Sequence, residues 1–120
     1  MKTNSVLIID DEADILISIK AWGEKKGYKI NTFLTTDGLL DKLIEMQPQI
    51  IFIDIKLQDD DGRHISEDLK NILPFPLIII LISADPLALL DYHAHYANGI
   101  LNKPFTFADF ERKLNQHLKN

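Results

Sequence analysis

With 120 residues, 46% of them hydrophobic, and a formal net charge of −5, the chain suits one globular domain and lacks the basic excess that nucleic-acid or anionic-membrane binding needs. It has no cysteine, which excludes disulfides, thiolate zinc sites and cysteine nucleophiles. The apolar run after MKTNS is cut at once by Asp10 and Asp11, too short for a signal peptide or a membrane span, so the cytoplasm is the expected compartment.

In chain order, Ser5–Ile9 is a short continuous apolar run, the pattern of a strand covered on both faces by helices. Ile15, Leu16, Ile19 and Trp22 predict a first helix, ended by Gly27, with Trp22 in its apolar stripe as core or partly covered packing. Lys29–Phe33 reads as a weaker strand, and Leu39, Leu40, Leu43 and Ile44 as a helical stripe closed by Pro48. Ile50–Ile53 is the second strongly apolar strand, followed by a helix on Ile65, Leu69, Ile72 and Leu73 that Pro74 closes. Leu77–Ile82 is the third such strand, Leu87 through Ala97 a less regular fourth helix, and Gly99–Leu101 a short fifth strand. Phe107, Phe110, Leu114 and Leu118 mark a last helix, with Thr106 and Asp109 as a capping box. This β-α alternation, repeated five times, predicts a parallel sheet in one α/β domain spanning residues 1–120.

Ligands of open parallel sheets bind at the carboxyl ends of the strands. That rule brings four sets of residues to one rim: Asp10 and Asp11 after the first strand, Asp54 after the third, Ser83 after the fourth and Lys103 after the fifth. Three carboxylates crowded together repel and raise one another's pKa unless a cation joins them. A hard ion such as Mg2+ answers that need and also accepts a phosphoryl oxygen. Lys103 and Ser83 then make sense as an ammonium and a hydroxyl directed at the same phosphoryl group. Asp54, single and central at a strand end, is the best candidate for a nucleophile that forms an acyl phosphate. Asp59, Asp60 and Asp61 read instead as part of the turn into the third helix, with Asp61-Gly62 as its turn dipeptide. His93 and His95 are two apart and cannot form a helical metal pair, while His64 and His117 read as surface residues.

The segments VLIIDDE, IIFIDIKLQDDDG, LISAD and LNKPF resemble, in order and across the whole chain, the four signatures of the response-regulator receiver domain of two-component signalling. The resemblance implies a flavodoxin-like, doubly wound, five-stranded parallel sheet of order 2-1-3-4-5 with five helices. It implies Asp54 as phosphoacceptor, and Mg2+ held by Asp10, Asp11, Asp54 and the backbone carbonyl of Lys56. It further implies Ser83 as the hydroxyl that swings to the phosphoryl group, Lys103 as its ammonium partner, and a cis Lys103–Pro104 bond that helps aim the lysine. A sensor histidine kinase or phosphotransfer protein is the expected donor. The expected chemistry is limited to the domain's own phosphorylation and dephosphorylation. The face of the fourth helix, fifth strand and fifth helix, near Tyr92, Tyr96, Asn102 and Phe105, is the expected site for a downstream effector or a homodimer partner.

Four positions bear on how the chain fits the family pattern. Gln58 stands where proline is usual, and Ile100 where many members carry the aromatic that moves with Ser83. Lys56 and Asp85 occupy the variable positions that tune acyl-phosphate lifetime, and a Lys56–Asp85 pair across the mouth is one arrangement they allow. Two other classes compete. An aspartate-nucleophile phosphatase would carry a second Asp where Lys56 stands, and a phosphate-independent interaction module would have no use for the intact set. The chain stops at the expected fifth helix, which fits a stand-alone receiver and equally a receiver cut from a longer regulator.

Overall fold

In the computed structural model, which describes residues 5–118, the three apolar runs become the centre of a sheet. The elements follow in the order β1 (Ser5–Ile9), α1 (Ala13–Lys25), β2 (Lys29–Phe33), α2 (Leu39–Met46), β3 (Ile50–Asp54), α3 (Gly62–Ile72), β4 (Ile78–Ser83), β5 (Gly99–Asn102) and α4 (Phe107–His117). The five strands run in the order β2-β1-β3-β4-β5, and every neighbouring pair is parallel. This is the flavodoxin-like order expected.

The runs are continuous in sequence, yet alternate residues serve opposite faces, because successive side chains of a strand point to opposite sides. Leu7, Ile9, Ile51, Ile53, Ile79 and Leu81 meet Leu39, Leu43 and Leu69 from α2 and α3. Val6, Ile8, Ile50, Phe52, Ile80 and Ile82 meet Leu16, Ile19, Phe110 and Leu114 from α1 and α4. Covered on both sides, the central strands leave no polar face, so the polar residues at their ends stand out.

Four expected strand boundaries move: the fourth strand begins one residue later, at Ile78, and the fifth ends one later, at Asn102. The third and fourth strands each extend one residue further, to Asp54 and Ser83. Asp54 pairs with Ile82 and Ser83 with Asn102, so the sheet itself fixes the backbones of both candidate residues.

The expected fourth helix is absent as such: within residues 86–97 there are two short 3-10 turns, Pro86–Leu89 and Tyr92–His95. Only Leu89 and Ala97 in this stretch are buried, while Leu87 and Leu90 are each 74% exposed, so no continuous apolar stripe pins a longer helix to the sheet. Asp85 caps the first turn by accepting from the Leu87 N–H. The second turn is tied to α3, where the Ser66 hydroxyl donates to the His95 carbonyl and His95 Nδ1 lies 2.8 Å from Glu67.

Trp22 is partly covered rather than core. The buried stripe of α1 is Leu16, Ile19 and Gly23, because Gly23 meets β2 so closely that a Cβ there would lie 1.9 Å from Ile30 Cδ1. That phase turns Trp22 outward, 54% exposed, against Phe107.

Candidate functional site

The first-strand rim begins with Asp10, which is fully buried. Its Oδ1 accepts from the Glu12 N–H at 2.9 Å, which orients the carboxylate at the start of α1. Its Oδ2 is enclosed and makes no hydrogen bond of acceptable alignment, although it lies 3.0 Å from Lys103 Nζ. Burial pushes the Asp10 carboxyl above the usual range; the Asp54 charge adds to this, while the Glu12 N–H and Lys103 oppose it.

Asp54 ends β3 and is nearly buried. Its Oδ1 accepts from the Lys56 N–H at 2.9 Å and its Oδ2 from Lys103 Nζ at 2.6 Å. Directly beneath it, Gly62 opens α3 so tightly that a Cβ would stand 2.5 Å from the Asp54 carbonyl oxygen. The glycine allows the strand end and the helix start to touch.

Lys103 follows β5, and its peptide bond to Pro104 is cis, as expected. Its ammonium meets Asp54, Glu12 and Asp10 together. Burial disfavours the charge, but the bonds to these three carboxylates outweigh it and hold the lysine pKa well above its ordinary value. Ser83, 5% exposed, accepts from the Asp85 N–H at 2.9 Å through its Oγ, which leaves its own proton free to donate. Asp11, Glu12, Asp54, Lys56, Ser83, Ala84, Asp85 and Lys103 line one cleft of about 530 Å3.

All the residues expected on the rim therefore do meet there. Carboxylate oxygens of Asp10, Asp11, Glu12 and Asp54 lie within 4.8 Å of one another. Such an all-oxygen set, with one buried oxygen lacking a hydrogen bond, fits a hard divalent cation. Glu12 is the member that sequence reasoning missed. A signal was available: glutamate is a poor N-cap, and Glu12 occupies the N-cap position of α1 without making a capping bond.

Some expected contacts do not form. Among the described residues, no ion pair joins Lys56 to Asp85, whose carboxylate is spent on the Leu87 cap. Phe105 lies on the other side of the sheet from Tyr92, in an apolar groove with Ile15, Ile19, Trp22 and Phe107. His64 is exposed, whereas His117 is half buried against Gly99, and burial lowers its pKa. Of the aspartate run, Asp61 caps α3, accepting from the Arg63 N–H, and Asp60 accepts from the Thr36 hydroxyl. Both belong to the turn, as expected.

Residues 6–115 match the family model described as the response regulator receiver domain. The chain belongs to the response-regulator receiver-domain family. This receiver is 30% identical over 112 residues to the transcriptional regulatory protein KdpE of Mycobacterium tuberculosis, covering 91% of this chain and 48% of that protein. It thus spans about half the length of the curated relatives it matches. Among solved structures it is similar to a two-component response regulator from Clostridium difficile, with a TM-score of 0.85, 23% identity and coverage of 98% and 96% of the two chains. It is equally similar to the beryllofluoride-activated NtrC4 receiver domain dimer, with a TM-score of 0.85, 26% identity and 96% coverage of each chain. Among the described residues, no helix is long and apolar enough to cross a membrane.

Proposed function

We propose that this receiver takes a phosphoryl group onto Asp54 from the phosphohistidine of a sensor histidine kinase or phosphotransfer protein, in the cytoplasm, and so switches a partner-binding face. The observation that carries this reading is the Asp54–Lys103 contact of 2.6 Å in a cleft that Ser83 also lines. A carboxylate oxygen of Asp54 attacks phosphorus, the P–N bond breaks, and the electron pair leaves with the imidazole nitrogen, giving an acyl phosphate on Asp54. Lys103 balances charge on the phosphoryl oxygens, and Ser83 donates its free proton to one of them. In the reverse sense, water attacks phosphorus, the P–O bond to the carboxylate breaks, and inorganic phosphate leaves with Asp54 restored. Asp10, Asp11 and Asp54, with the Lys56 backbone carbonyl, would hold Mg2+, which when bound supplies positive charge to the phosphoryl oxygens. The reactions end with the domain's own phosphorylation and hydrolysis, which makes it a signalling phosphoacceptor rather than an enzyme acting on other substrates.

The output face would comprise residues 86–97, β5 and α4. Leu87, Leu90, Tyr96 and Asn102 are exposed there and offer apolar and polar contacts. The likeness to a receiver domain solved as a dimer supports a homodimer.

The test is incubation with Mg2+ and acetyl phosphate, read by intact mass. Gain of one phosphoryl group, absent in Asp54→Asn and without metal, is the expected result. A folded protein that gains none would favour a phosphate-independent interaction module. Catalytic release of phosphate from added monoesters would favour a phosphatase.

A further inference from the structure

We infer that Glu12 is a positioning residue that keeps hold of the Lys103 ammonium when a divalent cation takes the carboxylate oxygens of Asp10 and Asp54. The inference rests on the metal site proposed above. Lys103 Nζ carries three protons and faces three carboxylates: Asp54 Oδ2 at 2.6 Å, Glu12 Oε1 at 2.8 Å and Asp10 Oδ2 at 3.0 Å. Two of these partners, Asp10 and Asp54, are buried and are proposed ligands of the cation, whereas Glu12 stands exposed at the rim of the same oxygen cluster. An ammonium and a dication that share those two buried carboxylates repel each other. Binding the cation therefore withdraws Lys103 from Asp10 and Asp54, while phosphoryl transfer requires it to stay beside Asp54.

Glu12 resolves this conflict. Its side chain is 58% exposed, so it stands at the rim rather than among the buried oxygens. Its backbone is extended at the N-cap of α1, yet the side chain leaves the helix uncapped and reaches a lysine 91 residues away. A shorter acid at an N-cap would turn back to the helix N–H groups; the longer glutamate spans to Lys103. Before metal binds, Glu12 is one of three partners of the ammonium. Afterwards it is the one that remains, so its contact counts for more in the loaded state.

The test is calorimetric titration of MgCl2 into the wild type, Glu12→Ala, a neutral Lys103 variant and the double variant, each checked for folding by circular dichroism. Lys103→Met serves as the neutral background, with Lys103→Gln in its place where the methionine variant does not fold. With Lys103 present, Glu12→Ala is expected to weaken Mg2+ binding about three- to tenfold; in the neutral background it is expected to weaken it less than about twofold. Equal or greater weakening in the neutral background overturns the inference, because Glu12 would then act as a ligand or as plain charge. Unchanged affinity with Lys103 present also overturns it. Failure of the wild type to bind Mg2+ overturns the metal site itself, and the inference with it.

Discussion

Lys103 Nζ and Asp54 Oδ2 stand 2.6 Å apart across the sheet edge, and both side chains are almost wholly removed from water, at 11% and 6% exposure. With Asp10 and Glu12 on the same ammonium, Lys103 does the work of a counter-ion for the acidic rim. Removing one partner of a buried ion pair strands the other charge and costs about 3–5 kcal/mol. Lys103→Met is therefore expected to destabilise the metal-free domain by about 3 kcal/mol. Added Mg2+ is expected to recover most of that loss, since a ligand that binds only the folded state raises its stability. Urea melts with and without MgCl2 check this; a variant as stable as the wild type without metal would show that Lys103 is not the counter-ion.

Gly62 gives a second test, this time of the backbone under Asp54. An added methyl would stand 2.5 Å from the Asp54 carbonyl oxygen and 2.9 Å from both Ile53 Cγ2 and Ile55 Cα. Two of these obstacles are backbone atoms that cannot rotate away. Gly62→Ala is expected to cost about 1–3 kcal/mol in a urea melt, the usual penalty for overpacking, and to slow phosphorylation by acetyl phosphate. A neutral substitution would mean that the start of α3 can slide without disturbing the strand end.

The strands and the rim were legible in the sequence because one physical rule governs both. A parallel strand with helices on each side is apolar throughout, so the first polar residue after it marks the carboxyl edge, as Asp10 does; Asp54 and Ser83 close their own strands. Helix phase was less legible, because Trp22 and Gly23 are neighbours and only the close approach of Ile30 decides which one faces the sheet. Ile72, expected in the stripe of α3, is likewise 57% exposed, while the small, polar Ser66 is buried because its hydroxyl finds the His95 carbonyl. The 3-10 turns of residues 86–97 depend on that same tie to α3, a contact between distant segments that no local pattern records.

At the mouth of the cleft, Lys56 and Asp85 are both exposed and do not pair; the carboxylate of Asp85 holds the Leu87 N–H at 3.0 Å. Any influence on acyl-phosphate lifetime is then exerted by each residue separately. Lys56→Ala and Asp85→Ala are each expected to change the dephosphorylation rate severalfold, and the double variant to show the product of the two changes, since independent sites add in free energy. Loss of phosphate after removal of donor, followed by mass spectrometry, measures this. A double variant that departs severalfold from the product would reinstate a direct pair.

Ile100 pairs with Leu81 in the sheet and packs, half buried, against the Leu7 face of the core. It stands where many receivers carry a mobile aromatic, so under the proposed function the signal from Ser83 would leave through the loop that follows β4. With Mg2+ and a beryllofluoride mimic of the phosphoryl group, backbone amide shifts are expected to be largest at residues 83–97, with smaller ones at Ile100. Amide spectra unchanged throughout that stretch, with the mimic bound, would sink this route.

Asp61 offers a pH test outside the cleft. Its Oδ1 accepts from the Arg63 N–H at 2.8 Å and its carboxylate forms a bidentate contact with the Arg63 side chain. The Arg63 side chain, the largest effect, holds the Asp61 carboxyl below its ordinary value; burial opposes it, and the Arg63 backbone N–H adds a weaker pull downward. A carboxyl depressed by folding contributes stability that is fully present above its unfolded pKa of about 3.9 and is lost as pH falls through the lower folded value. Asp61→Ala is therefore expected to cost about 1 kcal/mol near neutral pH, mainly as a lost helix cap, and the gap should narrow steadily below about pH 4. Melting temperatures of both proteins between neutral pH and pH 3 check this, and a gap as wide at the acid end would show that the ionised form is not what caps α3.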